Sequence, residues 1–196
     1  MGLSDAYASA AEYRQVIDMT DTGKDDEINK DLQAISRVID GKMGRFFNKD
    51  ADAFQRTYIA PAHTLRLWVD DMAEAPVAVK TDYIDGSYKT TFDPGDYDLV
   101  PFNADKEPEP RPFTLIMFRD RYLCKGQRVE VTCKFGWPEV PVAITRATIQ
   151  LTAILRLESA RATRRIPEMG DIIEASPDAM HIIRQLMDDY KRERYV

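Results

Sequence analysis

The chain has little of what catalysis and metal binding usually need. Its 196 residues include two cysteines and two histidines. Cys124 and Cys133 fit neither a C-x-x-C pair nor a zinc framework. They are expected to be two small core residues in neighbouring strands. His63 and His181 lie far apart and show no H-E-x-x-H or other ligand spacing. There is no G-x-S-x-G, no P-loop and no G-x-G-x-x-G. No apolar run reaches membrane-spanning length, and Arg146 and Arg156 interrupt the best candidate. Met1–Ala6 lacks the basic and apolar regions of a signal peptide. A soluble, intracellular, non-catalytic protein with no cofactor is therefore expected. Excess positive charge is also lacking: 27 Lys and Arg face 33 Asp and Glu, a formal net charge of −6. A general nucleic-acid binder needs clustered cations, so that class is disfavoured.

What is present is a normal core, since 44% of the residues are hydrophobic. The first segment, about 8–19, reads as a short helix ending in Thr20-Asp-Thr-Gly23. Asp25, Asp26 and Glu27 then open a second helix, acids at its positive end. Ile28, Leu32, Ile35, Ile39, Met43 and Phe46 follow as a helical stripe. Gly41 and Gly44 near its end either weaken the helix or admit a close approach by another element.

From about residue 53 the period changes to that of strands. Tyr58, Leu65–Val69 and Val77–Thr81 are rich in aromatic and β-branched residues. Asp85-Gly86, between Lys80–Ile84 and Ser87–Phe92, is a hairpin signal because type I′ turns need positive φ. Asp93-Pro-Gly-Asp96 marks a further turn, and Lys106–Pro112 is a proline-rich loop. Phe113–Phe118 and Arg128–Cys133 resume strand character. The connections are too short for helical crossovers, so the strands should be antiparallel. Residues 49–110 hold 13 acidic and 6 basic side chains, so the acidity is concentrated in this segment. It is either a solvated surface or a face turned to a basic partner or away from DNA.

Phe135-Gly-Trp-Pro-Glu-Val-Pro141 ends the strands and opens a helix over about 142–164. Gly136, Trp137, Pro138 and Pro141 read as a structural hinge between strand and helix. Ile144, Ala147, Leu151, Ile154 and Leu155 form one helical stripe, widened by Ile149, Ala153 and Leu157. Ser176-Pro-Asp178 supplies an N-cap, a first-turn proline and an early acid for a last helix. That helix carries Ile182, Ile183, Leu186, Met187 and Tyr190. The expected fold is α+β, a bundle of about four helices with an antiparallel β insertion between helices two and three. The expected division is 1–48 and 135–187 as the helical core, 49–134 as the β insertion and 188–196 as a C-terminal arm.

Carboxylates crowd the hairpin region at Asp82, Asp85, Asp93, Asp96 and Asp98, without the alternation of an EF-hand loop. A small metal-dependent hydrolase built on them is one alternative, and a monomeric protein-binding scaffold is another.

Four segments, taken in order, resemble the head–tail adaptor family of long-tailed bacteriophages, also called connector or head-completion proteins. The first is Ile39-Asp-Gly-Lys-Met-Gly-Arg-Phe-Phe47, and the second runs from Asp85-Gly-Ser-Tyr88 through Tyr97–Ala104. The third is Val129–Ile144, a strand followed by Gly-Trp-Pro and Val-Pro, and the last is the closing helix with Tyr190-Lys-Arg192. The resemblance implies a structural virion protein: a ring, usually of twelve copies, under the portal. Such a ring extends the DNA channel and offers a surface to the stopper or tail-completion protein. DNA passes through it without specific binding, and no membrane is involved. Location would be the virion neck, reached from the host cytoplasm during assembly. Carried over, the portal-binding segment is Asp188, Tyr190, Lys191, Arg192, Arg194, Tyr195 and Val196.

Overall fold

The fold is described from a computed structural model over residues 6–82, 87–161 and 176–191. The described residues form four α-helices and seven strands in two antiparallel sheets, an α+β fold. They divide into two compact units. One takes the described residues of Met1–Phe47 and Val140–Arg194, and the other takes those of Asn48–Glu139.

The helical unit holds α1 (Ala10–Val16), α2 (Asp25–Met43), α3 (Val142–Arg161) and α4 (Pro177–Tyr190). α1 starts at Ala10 because Ser9 and Glu12 form a capping box, each accepting from the other's backbone N–H. α2 buries Ile28, Leu32, Ile35, Ile39 and Met43, the expected stripe. The stripe stops there. Phe46 is 59% exposed, and its neighbour Phe47 is fully buried in its place. Gly44 explains the change: with φ at 66° it ends the helix, so helical spacing no longer applies beyond it. Among the described residues no element approaches Gly41 closely, since a side chain there would meet none of their atoms within 4 Å.

α3 is buried at Ile144, Ala147, Ile149, Leu151 and Leu155, whereas Leu157 is exposed. Thr148 and Thr152 are also fully buried. Their hydroxyls donate to the carbonyls of Ile144 and Thr148, both at 2.8 Å, so polar atoms enter the core satisfied. α4 begins as expected, with the Ser176 hydroxyl accepting from Ala179 N–H and Pro177 in the first turn. It buries Ala179, Ile183 and Leu186.

The β unit stacks two sheets. The first has the order β1 (Phe54–Ile59), β7 (Arg128–Cys133), β3 (Ala78–Thr81), β4 (Thr90–Phe92). The second has β2 (Arg66–Met72), β6 (Phe113–Phe118), β5 (Tyr97–Val100). Val79, Phe92, Val129 and Val131 from the first share one core with Leu67, Val69, Ile116 and Phe118 from the second. Arg56 on β1 joins the sheets at one side through a 2.7 Å ion pair with Asp70 on β2. β3 and β4 pair as the predicted hairpin, Thr81 opposite Thr90, with Asp85-Gly86 outside the described residues. Cys133 is buried in β7, where burial pushes its thiol up to about 12. Cys124 is exposed in the β6–β7 loop, not in a strand, so only one of the two cysteines is a core residue.

Replacing Ile35 with alanine should cost about 2–5 kcal/mol, whereas Phe46→Ala should change stability by less than about 0.5 kcal/mol. Urea unfolding followed by helical circular dichroism checks both. Equal losses would overturn the assignment of Phe46 to the surface.

Candidate assembly surface

Three of the residues proposed for portal binding lie at the end of α4. Asp188 and Lys191 are exposed and Tyr190 is half-buried. Arg192, Arg194, Tyr195 and Val196 lie outside the described residues. The Tyr190 ring meets Phe47 edge-on at 5.9 Å, and its backbone carbonyl accepts from Arg45 Nη1 at 3.1 Å. Tyr190 is therefore tied to its own unit by ring and backbone.

Phe47 takes a second ring on another side. Tyr7 packs on it edge-on at 5.7 Å, and the Phe47 N–H donates to the Tyr7 hydroxyl at 3.0 Å. That hydroxyl donates in turn to the Asp40 carboxylate, whose other oxygen lies 3.0 Å from Arg37 Nη1. The Tyr7 N–H donates to Ser36 Oγ at 3.0 Å, and the Ser36 hydroxyl donates to the Leu32 carbonyl at 2.8 Å. The segment preceding α1 is thus fastened along α2. Burial pushes the Tyr7 hydroxyl above its ordinary range. Burial also raises the Asp40 carboxyl, although the Tyr7 hydrogen bond and Arg37 pull it down.

The stretch 40–47 now has a role for most of its residues. Asp40 receives Tyr7, Gly44 caps α2 with its N–H on the Asp40 carbonyl at 2.8 Å, Arg45 holds the end of α4, and Phe47 sits between both tyrosines. Sequence reasoning noticed the motif but not these partners. Two adjacent aromatics where only one can face a core, and a Ser-x-x-Glu box just after Tyr7, were the available signals.

Within the β unit, Gly136 has φ at 101°, and its N–H donates to the Asp71 carbonyl at 2.8 Å. A Cβ there would lie 1.9 Å from the Asn48 carbonyl oxygen. Beside it, Asp50 N–H donates to the Phe135 carbonyl at 2.9 Å, and Phe135 N–H donates to Asp50 Oδ2 at 3.2 Å. The first and last backbone of the unit are stitched together at this point. Arg56 lies over the Phe135 ring at 4.1 Å and over Phe54 at 5.0 Å. Trp137 is buried and Pro138 half-buried. In the helical unit, the buried Pro141 offers its carbonyl to the N–H groups of Ile144 and Thr145, opening α3.

The acidic hairpin residues diverge. Asp82 is buried and pairs with Arg128 at 2.8 Å, and Asp98 pairs with Arg119 at 2.5 Å. Asp96 accepts from the Asp93 backbone N–H at 2.8 Å, closing the turn. Asp85 lies outside the described residues. Among the described residues, no three His, Cys, Asp or Glu side chains group to hold a metal. His63 stacks on Tyr122 at 4.7 Å, both exposed, and His181 is exposed.

No protein-family model and no curated protein matches the chain. Among solved structures, a chain in the neck of an empty gene transfer agent particle, computed with C6 symmetry, matches with a TM-score of 0.57 and 18% identity. The match covers 95% of this chain and 90% of that one. A chain in the neck of the native particle, computed with C12 symmetry, matches with a TM-score of 0.57, 17% identity and the same coverage. A chain in the virion of the native particle matches with a TM-score of 0.54 and 18% identity. The chain shares its fold with neck chains of gene transfer agent particles. That likeness spans both units, the β insertion included, and agrees with the resemblance read from the motifs.

Two outcomes follow from the geometry. Gly136→Ala should destabilise the β unit by about 3 kcal/mol or more, because the strained φ and the backbone clash add. Both tryptophans, Trp68 and Trp137, lie in that unit, so their fluorescence during denaturation checks it. For Asp40, the folded carboxyl binds its proton above the ordinary 3.8. Its contribution is therefore full below 3.8 and is lost as pH rises through the raised value. The Tm difference between wild type and Asp40→Asn should move in favour of wild type as pH falls from about 7 towards 4. A flat difference would mean that Asp40 is not shifted.

Proposed function

We propose that this protein is a structural virion protein, a subunit of a head–tail adaptor ring. The observation that carries the proposal is the fold shared with neck chains over 95% of the sequence. The C12 symmetry of one of those necks supports about twelve copies. The ring docks under the portal, extends the DNA channel and presents a surface to the stopper or tail-completion protein. It performs no reaction and uses no cofactor. DNA passes without specific binding, in keeping with a net charge of −6. The protein resides in the virion neck after assembly in the host cytoplasm, and no membrane takes part.

Physical features support an assembly role. Val16, Phe46, Val142 and Leu157 of the helical unit and Ile59, Val77, Phe102 and Tyr122 of the β unit expose much of their apolar surface. Neighbouring copies in a ring would bury such residues. Asp188 and Lys191 are exposed where the arm begins, available for ion pairs with the portal. A weak arm gains affinity when many copies dock together. Gly136, Trp137, Pro138 and Pro141 form the hinge through which the chain returns to its helices.

Deleting the arm tests the reading. Because Tyr190 packs on Phe47, the chain should be ended after Lys191 instead of before Asp188. The shortened protein should keep its fold and lose attachment to portal-bearing capsids, scored by electron microscopy. Normal decoration by the shortened protein would remove the arm from the mechanism, and the absence of any ring on the portal with the full chain would overturn the proposal.

A further inference from the structure

We propose that Arg45 positions the C-terminal arm by completing α4 from outside α4. This rests on the arm reading above. A helix end leaves carbonyls without intrahelical partners and carries partial negative charge, so it favours a cation in or beside its last turn. α1 has Arg14 and α2 has Lys42 in that place. The last turn of α4 has no basic residue and carries Asp188 and Asp189, the wrong sign for its pole. Its start, by contrast, is complete, with the Ser176 cap, Pro177 and Asp178.

Lys191 stands at the C-cap but is exposed, and the charge set on a terminal carbonyl comes from a residue 145 positions away in sequence, Arg45, whose guanidinium donates to the Tyr190 carbonyl at 3.1 Å. Arg45 follows directly on Gly44, whose left-handed conformation turns the chain out of α2. Two residues on, Phe47 receives the Tyr190 ring. One short segment therefore grips Tyr190 by its backbone and by its side chain. Lys191, the next residue, is exposed. The arm thus begins from a fixed point. A tether with a fixed origin loses less freedom on docking, and its effective concentration at the partner rises. Arg45 touches no partner in this scheme; it acts through Tyr190.

Backbone hydrogen exchange of wild type, Arg45→Ala and Arg45→Lys reads the seat directly. In Arg45→Ala, the amides of residues 188–191 should exchange roughly tenfold faster or more. Those of α3 and of Ile183 to Leu186 should be unchanged, and Arg45→Lys should recover part of the protection. Unchanged exchange at 188–191, or acceleration spread evenly over the helical unit, would overturn the proposal. If the alanine variant does not fold, Arg45→Gln carries the same comparison.

Attachment to portal-bearing capsids separates the two readings. Arg45→Ala should attach about tenfold more weakly than wild type although its arm is intact. If the chain ended after Lys191 loses attachment while Arg45→Ala attaches normally, the arm reading stands and the role of Arg45 falls. If the chain ended after Lys191 attaches normally, the arm reading fails and the docking role of Arg45 fails with it.

Discussion

The ring of Phe47 is where the described start and end of the chain converge. Tyr7, ahead of α1, and Tyr190, closing α4, both pack on it edge-on. Edge-to-face contacts have a preferred geometry as well as burying area, so the three rings set each other's positions. Two polar groups of the tyrosines find partners in the same neighbourhood: Asp40 for the Tyr7 hydroxyl, Arg45 for the Tyr190 carbonyl. α2 lies beneath this cluster, and its Gly44 cap brings Arg45 and Phe47 off the helix axis. The helical unit then reads as a bundle whose described first and last residues are fastened at one place, with α3 packed on α2 and α4.

The β unit is closed by a different device. An inserted domain is tolerated best when its first and last residues lie close together. Here closure is enforced at one point: Asp50, by its N–H and its carboxylate, exchanges hydrogen bonds with the Phe135 backbone, and Gly136 lies so near the Asn48 carbonyl that no side chain fits. Glycine is required there twice over, by φ and by space. The buried face of each sheet then supplies the cohesion, with Arg56 and Asp70 joining the two sheets at one side.

Much of the fold was legible because its signals are local. The stripe of α2, the Ser176 cap of α4 and the pairing of β3 with β4 each depend on residues a few positions apart. Phe46 fitted the helical period, but the period ended at Gly44. Thr148 and Thr152 were not part of the stripe read for α3, yet both are buried with each hydroxyl satisfied by its own helix. Cys124 was assigned to a strand and lies in a loop.

The sequence by itself determined the α+β class, the order of the elements and the motif at 40–47, because periodicity, caps and turn residues act over a few residues. Tertiary structure alone decided what that motif holds. Arg45 and Tyr190 are 145 residues apart, and Asp50 and Phe135 are 85 apart. No spacing rule connects such pairs, since which of them meet depends on how the whole core packs. The same holds for the acidic hairpin, where Asp82 and Asp98 turn to separate arginines and not to a common point. Side-chain direction at long range is set by packing, and it is there that an apparent cluster in sequence becomes two unrelated ion pairs.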